Sequence, residues 1–164
     1  MMNINFLPYS DEHDYSLAIK EYKEIWDLFG PKVVNLYENF TGLSFVEKNM
    51  NALVWAGISH APPLCLRYNL DFERKKTTLV HELGHCLLNR KIKNIKGDLT
   101  SHHFLFQVLF DVFVEVFGEK AAFEAVEWDK NLPNPEYRAA WEFALSLQTK
   151  EERHIKFAEL LKTP

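Results

Sequence analysis

Residues 77 to 88 read Thr-Thr-Leu-Val-His-Glu-Leu-Gly-His-Cys-Leu-Leu, with two histidines four positions apart and a glutamate directly after the first. On a helix, residues four apart share a face, so His81 and His85 can both offer a neutral ring nitrogen to one tetrahedral Zn²⁺. Glu82 then stands beside the metal rather than on it. A carboxylate there can take a proton from a water activated by the metal and later hand it to a leaving amine. Leu79, Val80, Leu83, Cys86, Leu87 and Leu88 surround the motif with apolar residues at helical spacing, as a buried helix requires. Gly84 costs about 1 kcal/mol in an exposed helix interior and makes sense where something approaches closely. A chain carrying this run is expected to bury a helix that bears a metal site, the alternative being an ordinary core helix with two satisfied histidines.

The 164 residues are enough for one good hydrophobic core and short for two, so the expectation is a single domain over residues 1–164. Hydrophobic content of 47% with thirteen Phe argues for a compact protein rather than a disordered one. A net charge of −4 gives no general attraction to nucleic acid. The basic clusters Arg74-Lys75-Lys76 and Arg90-Lys91-Ile92-Lys93 read as solvated charge at helix ends. Cys65 and Cys86 belong to no paired metal-binding spacing and read as reduced, buried thiols. Residues 1 to 8 lack a basic n-region and a long apolar stretch, and no segment is long and apolar enough to span a membrane. A cytoplasmic protein with a protein or peptide partner and no membrane partner is expected; oligomeric state is not legible.

Ser10 reads as the N-cap of a helix to about Phe29, which Gly30-Pro31 ends, and Pro31 opens a second helix stopping near Gly42. The pattern then turns to β. Leu43 to Glu47 and Ala52 to Ile58 read as a hairpin about the polar turn 48–51, with a third strand over Leu64 to Tyr68. The motif helix follows, starting after Asn69 or Asp71. Beyond Asn89 a basic, Gly-containing loop leads to Thr100-Ser101, a natural start for an apolar helix from His102 to about Phe117. Glu119 to Lys130, Glu136 to Leu147 and, behind the capping box Thr149 to Glu152, Lys150 to Leu161 read as further helical segments.

A catalytic zinc wants three protein ligands and an open position. Of the downstream candidates, His102 shares a helical face with Phe106, Leu109, Phe113 and Val116, the face expected to pack inward. His103 begins a polar ridge with Gln107, Asp111 and Glu115, which reads as a solvated stripe. The order of candidates is His102, then Glu115 with Asp111 beside it, then His103. His60 reads as a surface-loop histidine rather than a residue of the cleft. Tyr137 and Arg138 are candidates for stabilising an oxyanion, and Trp128 and Trp141 for helix packing.

Thr78-Leu79-Val80-His81-Glu82-Leu83-Gly84-His85, followed by His102-His103-Phe104-Leu105-Phe106, resembles the SprT-like small zinc metallopeptidases of the zincin class. That resemblance implies zinc ligation by His81, His85 and His102, with Glu82 as catalytic base; the usual Gly after the third His is His103 here. The run from Asn69 through Leu88 is also similar to the ImmA/IrrE-type metallopeptidases, which implies a downstream Glu ligand, for which Glu115 is available. Both imply an α+β, zincin-like layout: a small, mostly antiparallel three-stranded sheet packed on the HExxH helix, with N-terminal and C-terminal helices. Leu43 to Trp55 would contain the strand that pairs with an extended substrate. The expected function is hydrolysis of peptide bonds by a Zn²⁺ enzyme. The alternative is a zincin-fold regulatory or binding module that holds zinc without turnover.

Overall fold

A computed structural model describes residues 2–89, 91–92 and 99–162. The expected loop over residues 90–98, with most of its basic cluster, lies largely outside them. Three strands and six helices occur in the order β1 (Asn3–Pro8), α1 (Ser16–Thr41), β2 (Asn49–Trp55), β3 (Leu64–Arg67), α2 (Phe72–Leu88), α3 (Ser101–Phe117), α4 (Glu119–Lys130), α5 (Pro135–Leu145) and α6 (Lys150–Lys162). The class is α+β, as expected.

The sheet is not. Its strands run β1-β2-β3 and both pairings are parallel, with Ile4 opposite Met50 and Leu53 opposite Cys65. The expected antiparallel hairpin fails because Leu43 to Glu47 is irregular, and residues 49–51, assigned to its turn, already belong to β2. The first strand lies instead at the amino terminus. There Asn3 and Asn5 face outward while Ile4 and Phe6 are buried, the period-2 alternation of a half-buried strand. A helix then carries the chain back to the next strand in the same direction, as parallel pairing requires. Being central, β2 has no free edge for a substrate, which removes that role from Leu43 to Trp55.

The first helix begins at Ser16 rather than after Ser10 and runs unbroken through Gly30-Pro31. Proline removes one helical hydrogen bond and clashes with the preceding turn. Packing outweighs this, because the buried stripe Ala18, Tyr22, Ile25, Trp26, Val33 and Tyr37 continues on one face across the proline. Gly30 is required there: a Cβ would stand 2.5 Å from Trp26 Cε3. The helix ends at Gly42, whose φ of 67° is the left-handed conformation glycine adopts at low cost.

The core forms where α1 and α2, which carry the sheet, meet α3, and α3 packs also against α4, α5 and α6. Every residue from His103 to Phe113 is buried. The polar ridge is therefore no solvated stripe: Gln107 and Asp111 are inside, and only Glu115 reaches solvent. Lys75 corrects the reading of its basic cluster likewise. It is buried, ion-paired to Glu21 at 2.8 Å and hydrogen-bonded to the Leu70 carbonyl. No helix among the described residues is long and apolar enough to cross a membrane.

Candidate metal centre

Asp71 caps α2, its carboxylate accepting the Arg74 N–H at 2.8 Å, and Glu73 lies in the first turn where negative charge suits the helix dipole. The apolar face of Leu79, Val80, Leu83, Leu87 and Leu88 seats the helix in the core. Gly84 lets it approach α1 and α3, since a Cβ there would meet Leu105 Cδ1 and come within 2.7 Å of Tyr37 Oη. The Tyr37 hydroxyl donates to the Val80 carbonyl at 2.9 Å. These contacts fix the angle at which His81, Glu82 and His85 leave the helix.

His102, in the first turn of α3, completes the group. His81 Nε2 lies 3.0 Å from His85 Nε2, which lies 3.1 Å from His102 Nε2, and the three possible ligand atoms fall within 4.8 Å of one another. Nitrogens about 2.0–2.1 Å from a tetrahedral Zn²⁺ would stand roughly 3.3 Å apart, close to the spacing of His85 Nε2 from each of the other two rings. Burial pushes His81 and His85 well down, His85 to about 3, with the neighbouring imidazoles adding to the effect. Both rings are therefore neutral near pH 7, the form that binds metal.

A partner the sequence reading missed orients the third ring. Glu136 Oε1 is 2.5 Å from His102 Nδ1. With Nδ1–H given to that carboxylate, Nε2 presents its lone pair to the other two rings. Burial works to raise the Glu136 carboxyl, but hydrogen bonds from His102 and Thr100 outweigh it and hold it below the usual range. Asn134 caps α5 by accepting the Glu136 N–H at 3.0 Å, and Pro135 occupies the first turn. The run Asn134-Pro135-Glu136 was readable as a helix start; that its carboxylate meets His102 depends on how α5 packs against α3.

The other candidates have different places. His103 accepts the Thr100 N–H at Nδ1, 3.1 Å away, so it caps its own helix. Glu115 is exposed and paired to Lys150 at 3.0 Å, and Asp111 is tied to Arg153; neither belongs to the histidine group. Arg138 donates to the Lys130 carbonyl. Trp141 is fully buried against Phe106, with ring centroids 4.0 Å apart, whereas Trp128 is 48% exposed beneath Arg74. Cys65 and Cys86 are both free thiols, Cys65 buried as expected and Cys86 only half-buried.

Glu82 lies at the floor of the site, 6% exposed, and its Oε2 meets no hydrogen-bond donor. Burial first, then the charge of Asp129, pushes its carboxyl up to about 8. The Tyr137 ring stands 4.4 Å from that of His102, and its phenol is pushed upward by burial and then by Glu82, so it stays protonated. Glu82 and Tyr137 border two cavities. One, of about 220 Å³, is lined by His60, His85, Ser101 and His102; the other, of about 150 Å³, extends beyond His81 toward α4. His60 thus does reach the cleft.

Comparison with protein-family models, with curated proteins and with solved structures returns no match.

Proposed function

We propose that the chain is a zinc-dependent peptidase in which His81, His85 and His102 hold the metal and Glu82 is the general base. The observation that carries this reading is the unpartnered, buried Glu82 Oε2 beside three converging imidazoles. A buried carboxylate oxygen without a donor costs free energy unless a partner is supplied. A Zn²⁺ ion there supplies a Lewis acid for a scissile carbonyl and lowers the pKa of a water. Glu82 accepts the water's proton and returns it to the departing amine nitrogen. The Tyr137 hydroxyl, held protonated, donates to the oxyanion that develops on the carbonyl. Cavities on both sides of Glu82 give room for chain on either side of the cut bond. The motif resemblance to SprT-like peptidases supports the same roles, and the free thiols of Cys65 and Cys86 support a cytoplasmic location.

Glu82→Gln should keep one equivalent of zinc and lower hydrolysis of an unstructured protein by about 10²-fold or more. Undiminished hydrolysis by that variant would remove Glu82 from the role.

One observation favours the second reading, a module that holds zinc and binds without cutting. The outer edge of β3 is already paired: Cys65 N–H donates to the His60 carbonyl at 2.9 Å, His60 N–H to the Cys65 carbonyl at 3.0 Å, and Arg67 N–H to Ser59 Oγ at 2.9 Å. A peptide therefore has no open backbone edge at β3. Stable complexes with an unfolded protein that remain uncut by the zinc-loaded chain would favour the module.

A further inference from the structure

The cavity of about 150 Å³ beyond His81 is lined by both Arg67 and Arg74, with Asp129 and Trp128 on the α4 side and Leu70 and Leu132 as apolar walls. A cavity of this size holds a benzene-sized group. It is thus large enough for one side chain and too small for a folded partner.

Its charge is unbalanced. Arg67 spends its Nε on Asn69 Oδ1 at 2.6 Å, and Arg74 lies 4.3 Å over the Trp128 ring with a 3.5 Å contact to the Glu124 carbonyl. Among the described residues, neither guanidinium is in an ion pair. Against these two cations stands Asp129, whose Oδ2 accepts the Trp141 indole N–H at 3.1 Å. Glu82, at the cavity's inner end, belongs to the chemistry of the cut bond. Glu82 apart, two guanidinium groups face the single carboxyl of Asp129 across this partly enclosed space.

We propose that this cavity is a selectivity pocket for an acidic side chain, Asp or Glu, of the peptide bound at the histidine site. The proposal rests on the reading of that site as one that takes peptides. A guanidinium presents planar, paired N–H donors that match a carboxylate. The methylenes of the acidic side chain would lie between Leu70 and Leu132. A Lys or Arg side chain would instead bring a like charge against Arg67 and Arg74.

The test uses the zinc-loaded full chain carrying Glu82→Gln, which prevents turnover, and three labelled alanine-based octapeptides with a central Glu, Gln or Lys. Fluorescence anisotropy should show the Glu peptide binding about tenfold tighter than the Gln peptide, with the Lys peptide weakest. Adding Arg67→Gln should erase the preference, and adding Arg67→Glu should turn it toward Lys, at unchanged zinc content and melting temperature. An acidic preference that survived Arg67→Gln combined with Arg74→Gln would come from outside the pocket's guanidinium groups and overturn the proposal. Equal binding of the three peptides would overturn it as well. Cleavage is read separately with the native Glu82 chain: an acidic preference in binding without any cleavage leaves the pocket assigned and sinks the peptidase reading, whereas cleavage indifferent to the central residue does the reverse.

Discussion

Burial raises the Glu82 carboxyl to about 8 and pulls His85 down to about 3, so at pH 7 the carboxyl carries a proton and the imidazole does not. A cation among the three rings reverses the balance for Glu82 by favouring its charged form. His81 and His85, already neutral, release nothing. Zinc loading at pH 7 should therefore expel close to one more proton from the native chain than from Glu82→Gln, measured by titration calorimetry in two buffers of different ionisation enthalpy. Equal release would show that Glu82 is not the group being ionised. The same shifts set the stability of protein stripped of metal. The folded pKa of Glu82 is raised from 4.5, so its stabilisation is complete below about 4.5 and is lost as pH rises through about 8. The folded pKa of His85 is lowered from 6.5, so its stabilisation is present above 6.5 and is lost as pH falls toward about 3. Urea denaturation of the stripped protein should find greatest stability between these limbs, with the alkaline limb flattened in Glu82→Gln. Glu136 acts on the site through His102: Glu136→Gln removes the charged acceptor from Nδ1 and should weaken zinc binding about 10- to 100-fold in competition with a chelator.

Among the elements, α2 shows how a local rule is broken for the site's sake. Gly84→Ala would gain about 1 kcal/mol of helix propensity, yet its Cβ would meet Leu105 and the Tyr37 hydroxyl. The expected net result is a loss of about 1–3 kcal/mol in urea unfolding, because α1 and α3 must both move away. A Gly84→Ala chain as stable as the native one would mean that the three helices are not closely seated. The Gly in the motif signals this close approach in the sequence itself, as does the apolar spacing from Leu79 to Leu88. Strand direction was harder to read. The alternation Asn3-Ile4-Asn5-Phe6 carries the β1 signal in plain view, but pairing partners are set by how α1 folds back, and sequence separation conceals that. Gly30-Pro31 misled for a related reason: local propensity argues for a break, while the stripe from Tyr22 to Tyr37 that overrides it is visible only as continued periodicity.

At the scale of the molecule, α3 is the axis on which the other helices pack, and its position explains why its polar residues were misread. A stripe of His103, Gln107 and Asp111 on an apolar helix belongs in water only if that face has no neighbour, and here α5 and α6 cover it. His102 does lie with His81 and His85 in one group, on a helix enclosed almost all round rather than on one inward face. Enclosure has an energetic consequence at Asp111. Its carboxylate is 2.5 Å from Arg153 Nη2 and 3.0 Å from Arg153 Nε, with His154 Nε2 at 3.2 Å, and the Asp and Arg side chains are nearly inaccessible. This pair ties α3 to α6, far along the helix from His102. Asp111→Ala leaves a guanidinium buried beside nothing that can neutralise it, and unfolding free energy should fall by about 3–5 kcal/mol. Replacing both members with apolar residues, Asp111→Leu with Arg153→Met, should recover most of the loss, because neither desolvated charge then remains. If the double substitution is as damaging as Asp111→Ala, the helices depend on the ion pair's geometry rather than on its neutrality. In every variant that stays folded, zinc stoichiometry should remain at one, since neither Asp111 nor Arg153 belongs to the histidine group.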